Sequence, residues 1–236
     1  MSNGTLTPYL LQRPVGYDIL RRLFIEEPTP ELLHFLQRQD LAELVPHIDD
    51  AAFTQAVCEV RGALDHPRFA RGEAAFENLH WDFTRLFIGP ETPPAPPWES
   101  VYVSRDKLLF QRCTNEVKRL YRRQGFMMSD DEAEAADHIG FELDFLYRQS
   151  VAAAEMALNG APPEQLIVSL QEQLDFLQQH PLAFAAPFCR NIQTHAQTAF
   201  YRGVGRILPL FLAYDKQRLG ALVGADSGQF QRLPTI

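Results

Sequence analysis

Apolar residues recur at three- and four-residue spacing along most of the chain, the period of an amphipathic helix. Between Val15 and Ile25, Ile19, Leu20, Leu23 and Phe24 fall on one stripe, which predicts a helix with Pro14 near its start. Thr29 followed by Pro30 reads as an N-cap and first helical position, opening a helix through about Gln39. Asp49 and Asp50 stand where the next helix would be capped, and it carries Phe53, Val57, Val60 and Leu64. A further helix is predicted from about Glu73 to Phe87, stopped by Ile88-Gly89-Pro90.

Residues 90–97 hold five prolines, which fix φ and remove donors, so this stretch reads as a stiff, extended connector. A ligand for SH3-type domains is the other reading of so many prolines. Beyond it, Thr114 is placed to cap a helix containing Val117, Leu120 and Tyr121 and closed at Gly125. Asp130 and Asp131 introduce a long helix to Asn159-Gly160 with Ile139, Leu143, Leu146 and Val151 on one face. Pro163 and Glu164 begin another, through Leu170, Leu174 and Leu177 to His180-Pro181, and two or three more follow between Phe188 and Val223. No alternating run with hairpin turns and no fixed-period repeat interrupts the pattern. The expected fold is all-α, a single large domain of about nine to eleven helices in two lobes. Residues 1–89 form the N-terminal lobe, 90–104 the connector, 105–223 the C-terminal lobe and 224–236 a loose tail.

Composition supports a packed core: 46% of the 236 residues are hydrophobic and 17 are Phe, which excludes disorder over most of the length. The longest apolar runs fall far short of the ~20 residues that span a bilayer, so no stable membrane insertion is expected. The N-terminus lacks the basic and apolar regions of a secretory signal, so a cytoplasmic protein is expected. A net charge of −8 opposes nucleic-acid binding and suits a basic partner. Cys58, Cys113 and Cys189 are far apart and read as reduced thiols, with no CxxC pair to hold zinc.

The chain has no P-loop, no GxSxG elbow and no HExxH, so no enzyme chemistry and no cofactor is expected. Two Glu-x-x-His spacings, Glu31/His34 and Glu77/His80, match half of a di-iron carboxylate pattern. Glu31 lies in a first helical turn, where the helix dipole alone favours an acid, and no metal is assigned. Arg21-Arg22-Leu23-Phe24-Ile25 has the look of a twin-arginine export motif, but Glu26-Glu27-Pro28 follows it; the pair reads as the solvated side of a helix.

Residues 81–147 carry the candidate site. Trp81, Phe83, Leu86 and Phe87 combine helical spacings, and Pro97, Trp98 and Tyr102 follow the prolines. Such aromatics are either core or the wall of a groove between lobes. Seven carboxylates then lie between Asp130 and Asp144 with no Lys or Arg among them: Asp130, Asp131, Glu132, Glu134, Asp137, Glu142 and Asp144. They form either a solvated acidic face or a receptor for guanidinium groups, which carboxylates accept bidentately. His138, one turn from Glu134 and Glu142, is either a pH-sensitive part of that grip or a structural histidine.

At these residues the chain resembles the TorD/DmsD/NarJ family of redox-enzyme maturation chaperones. Phe83-Thr-Arg-Leu86-Phe87 is similar to its aromatic-x-x-Leu-Phe motif, and Gly89-Pro90 through Pro97-Trp98-Glu-Ser-Val-Tyr102 to its proline-tryptophan connector. Glu134-Ala-Ala-Asp137-His138, with Gly140 and Glu142, resembles its Glu-Pro-x-Asp-His signature, Ala135 standing where Pro is usual. The resemblance covers most of residues 10–215 and implies an all-helical, cytoplasmic, non-enzymatic protein without a cofactor. Its partner would be the twin-arginine signal peptide of a molybdopterin oxidoreductase precursor, held until cofactor insertion, with contacts to export or cofactor-insertion machinery. The implied peptide-binding residues are Phe83, Leu86, Phe87, Pro97, Trp98, Tyr102, Glu134, Asp137, His138 and Glu142. An assembly adaptor for a non-exported respiratory reductase subunit and a metal-binding helical oxidase are the alternatives. A Pro-rich hinge allows a monomer or a domain-swapped dimer.

Overall fold

The computed structural model describes residues 6–39, 41, 48–65, 69–90, 92–126 and 135–224. Among these, ten α-helices and one π-helical turn carry the regular structure. They are α1 (Leu6–Ile25), α2 (Pro30–Arg38), α3 (Ala51–Leu64), α4 (Ala74–Phe83), the π turn (Thr84–Ile88), α5 (Glu99–Val103), α6 (Arg112–Arg123), α7 (Ile139–Leu158), α8 (Pro163–Gln179), α9 (Pro181–His195) and α10 (Ala199–Val223). The all-α expectation holds, and the only strand-like pairing among the described residues is one bridge, Trp98 with His138.

Several boundaries follow local chemistry. Thr29 caps α2 by accepting from the Leu32 N–H, and the Asp50 carboxylate accepts from Ala52 and Phe53 at the start of α3. Others do not. Helix α1 starts at Leu6, so Pro14 lies inside it rather than near its beginning. Buried Tyr9, Leu10 and Arg13 on that first stretch offset the backbone bond that a proline removes. Helix α6 starts at Arg112, so Thr114 is not its cap but a buried residue on its first turn. Helix α7 starts at Ile139, later than the acidic residues suggested, because the His138 side chain is the cap and Ala136–Asp137 form a turn. Asp130, Asp131 and the tail beyond Gly224 lie outside the described residues.

One hydrophobic cluster runs from Tyr9 to Leu222. Its most extensive contact is α1 against α7, followed by α10 against α3 and α9. Both of the first two pairings cross the proline connector, so residues 1–89 and 105–223 share a core. Gly140 permits the α1–α7 contact: a Cβ there would come within 2.9 Å of the Ile25 backbone nitrogen. Arg21 lies in the same interface, bonded to Asp144 at 3.0 Å and over the Tyr147 ring at 4.6 Å. It is therefore a partly buried packing residue rather than a solvated one, while Arg22 keeps a half-exposed pairing with Asp18.

A buried ion pair and a buried carboxylate fasten the long helices. Arg13 of α1 meets Asp215 of α10 at 2.7 Å with both fully buried. Asp82 of α4 accepts from the Thr198 N–H at 2.8 Å and hydroxyl at 2.6 Å, from the Gln197 N–H at 3.1 Å, and from Arg85. It thereby holds the turn between α9 and α10. Asp82→Ala is expected to lower stability by about 3 kcal/mol, because two backbone donors lose a charged acceptor. Asp82→Asn, which keeps an acceptor, should lose less; equal urea-unfolding midpoints for Asp82→Ala and the parent would refute this role.

Candidate functional site

The motif around Phe83 ends helix α4 in a wider turn. The Gly89 N–H reaches back to the Thr84 carbonyl at 2.7 Å, five residues away, and Gly89 takes a φ of 58° that glycine adopts without strain. This turn directs Phe83, Leu86 and Phe87 inward. Phe87 packs edge-on to Phe24, Phe83 and Tyr201, and all three motif residues are buried. They make the floor on which the connector lies and present no open wall. Trp81 and Ile88, at either end of the motif, are exposed.

The connector is docked rather than free. Ala95, Pro96 and Pro97 are buried, and the Ala95 N–H donates to the Leu86 carbonyl at 3.1 Å. It then pairs with the stretch before α7: Ile139 N–H to Pro97 C=O at 2.8 Å, and Glu99 N–H to Asp137 C=O at 2.9 Å. The proline-tryptophan motif and the Asp137-His138 motif, far apart in sequence, are thus zipped together. Helix α5 has no local side-chain cap. Asp137 supplies one from a distance, its Oδ2 accepting from the Ser100 N–H at 2.8 Å.

Each candidate residue now has a place. Trp98 and Tyr102 are half-buried; Trp98 meets the His138 ring edge-on at 5.9 Å, and Tyr102 stacks on Phe184. Pro97, Asp137, His138 and Glu142 are buried, so the acidic residues from Asp137 onward do not form a solvated face. Glu134 lies outside the described residues. The His138 Nδ1 accepts from the Gly140 N–H at 3.0 Å, capping α7. Burial holds its pKa down at about 3, so the ring stays neutral near pH 7 and the pH-sensitive grip gives way to the structural role.

Sequence reading missed three neighbours. Glu99 is buried and bonded to His180 Nδ1 at 3.0 Å, and Cys113 Sγ lies 4.0 Å from Asp137 Oδ2. Burial, then Glu99 and Asp137, push the Cys113 thiol up to about 11, which keeps it unreactive. Burial, then Glu99 and Asp137, also raise the Glu142 carboxyl well above the ordinary range. His180 gave no signal beyond its position before Pro181, and Glu99 none beyond following Trp98. The two Glu-x-x-His pairs do not converge: Glu77 accepts from the Gly72 N–H, His80 pairs with Glu27, and Glu31 is exposed. No helix among the described residues is long and apolar enough to cross a membrane.

Comparison with known proteins matches this arrangement to one family. The profile of the nitrate reductase delta subunit family matches residues 38–190, which includes the π turn, the connector and the Asp137-His138 turn. A protein named chaperone protein TorD from Vibrio atlanticus (strain LGP32) is 28% identical over 212 residues, 88% of this chain and 94% of the relative. The Tat proofreading chaperone DmsD of Salmonella paratyphi A is 33% identical over 137 residues, 58% of this chain and 60% of its own. A TorD chaperone of Vibrio cholerae serotype O1 (strain O395) is 28% identical over 153 residues, 65% of this chain and 67% of the relative. The chain belongs to the nitrate reductase delta subunit family, the TorD/DmsD/NarJ group of chaperones.

Proposed function

We propose that this chain is a cytoplasmic chaperone that holds the twin-arginine segment at the N-terminus of a redox-enzyme precursor until its molybdopterin cofactor is inserted. The observation that carries this reading is the docking of the Pro97–Ser100 connector onto the Ala135–Gly140 turn, in a chain whose relatives include a named Tat proofreading chaperone. That docking leaves Trp98 and Tyr102 half-open above a buried aromatic floor, the combination of rigid support and accessible aromatic that peptide grooves use. We assign the apolar half of the peptide to Trp98 and Tyr102, with Phe83, Leu86, Phe87 and Pro97 shaping the surface from beneath. The arginine pair is assigned to the acidic stretch that ends at Asp137 and includes Glu134. Direct contact with buried Asp137, His138 or Glu142 would require the docked connector to lift.

A second reading takes up the family description, which names a nitrate reductase subunit: an assembly adaptor for a respiratory reductase subunit that is not exported. It would bind a folded subunit and ignore an isolated signal peptide. The two are separated by titrating a labelled twin-arginine peptide into the chain and its Trp98→Ala variant, followed by fluorescence anisotropy. Loss of the indole is expected to weaken binding by about 1–3 kcal/mol. Equal affinities would remove Trp98 from the surface; no binding by either protein would favour the second reading.

A further inference from the structure

Glu142 poses a problem that peptide recognition leaves unsolved. Its side chain is fully buried, and neither carboxylate oxygen accepts a hydrogen bond from any described group. The Glu99 carboxyl faces it within hydrogen-bonding reach, so the two are joined either by a proton that one of them donates or by a metal cation between them. Among the described residues neither carboxylate pairs with a lysine or arginine. His180 completes the group: one ligand atom from each of Glu99, Glu142 and His180 lies within 4.8 Å of the other two. All three side chains are buried.

We propose that Glu99, Glu142 and His180 form an internal site for one divalent transition-metal ion of the zinc type. Two carboxylates and one neutral imidazole are a donor set that such ions accept, and their charge of −2 cancels that of the ion. Desolvated carboxylates are costly without a counter-charge, so the ion would turn an unfavourable arrangement into a stabilising one. The ligands come from three places: Glu99 from the first turn of α5, Glu142 from α7, and His180 from the junction of α8 and α9. Binding would therefore staple the proline connector to the helical body. A cleft of about 410 Å³ lined by Glu116, Arg119, Leu120, Arg123, Gln179 and His180 reaches the His180 side of the site. Arg119 and Arg123 oppose a free cation there, so loading should be slow.

The inference stands apart from peptide binding and is tested without it. Full-length chain treated with chelator is equilibrated for hours with Zn²⁺ or Co²⁺, and bound metal is counted by native mass spectrometry while thermal unfolding is followed. One ion per chain, a raised Tm reversed by chelator, and Co²⁺ absorption bands of a nitrogen-oxygen site are expected. Glu142→Gln and His180→Gln should each lower the affinity by about 100-fold or more. Helix content by circular dichroism shows whether each variant folds; if one does not, the wild-type stoichiometry and its chelator-sensitive Tm still decide the matter. Folded wild-type chain that binds no ion would overturn the site, leaving a proton shared between Glu99 and Glu142. Binding undiminished in both folded variants would overturn it equally.

Discussion

Replacing Asp215 with alanine is expected to destabilise the protein by about 3–5 kcal/mol, the cost of leaving a buried charge without its counter-ion. Asp215 accepts from Arg13 Nε at 2.7 Å and Nη2 at 3.0 Å, from the Tyr17 hydroxyl at 2.7 Å and from the Tyr9 hydroxyl at 2.5 Å. Gln173 of α8 also binds Arg13, so one ion pair ties α1, α8 and α10 together. Removing the carboxylate orphans four donor groups, on three residues, inside the core. Removing both charges is a different experiment, because an apolar pair of similar volume has nothing left to desolvate. Arg13→Met with Asp215→Leu should therefore be less destabilised than Asp215→Ala, as read from urea unfolding. If the single variant unfolded at the parent's midpoint, the buried pair would not be the fastening described.

The second large effect is acid lability originating at His138. Its ordinary pKa of ~6.5 applies in the unfolded chain, and burial lowers it to about 3 in the folded one. Between those values the unfolded state binds a proton that the folded state refuses. Stability from this group is complete above pH 6.5 and is lost as the pH falls toward 3, by up to about 1.4 kcal/mol per pH unit. His138→Asn keeps a side-chain oxygen able to accept from the Gly140 N–H, and it does not titrate. The variant should show a flatter stability profile between pH 6.5 and 4. Parallel profiles for variant and parent would place the acid sensitivity elsewhere.

Much of the fold was legible because helix periodicity and its stop signals are local. The Thr29-Pro30 cap, the Gly89-Pro90 stop and the Pro163 start all depend on a few adjacent residues, and the structure has them. Errors came where a distant partner decides. Pro14 resembles a helix start, yet packing of the preceding turns onto α10 carries α1 through it. Asp130 and Asp131 lie outside the described residues, but α7 itself begins only at Ile139, capped by His138, against which Trp98 packs.

The candidate site shows the same division. The two motifs were visible, and the structure joins them. Their exposure was not visible, because a carboxylate on a helix looks solvated until something folds over it. Asp137 is buried by Ser100 and the connector, and Glu142 by Glu99 and His180, contacts that no spacing rule anticipates. Leu86 and Phe87 reached the core through a π turn, a departure from the helical period that sequence pattern does not reveal. Arg13 and Asp215, about as far apart in the chain as two described residues can be, gave no sequence signal at all.

Capture of a redox-enzyme precursor with and without its N-terminal twin-arginine segment tests the account most directly. Tagged chain co-expressed with the intact precursor is expected to retain it in one-to-one complex, quantified by mass spectrometry. Deleting the segment should abolish that retention, and the isolated segment should compete the intact precursor away. Equal retention of the intact and truncated precursors, with no competition by the segment, would contradict it and move recognition to the folded subunit.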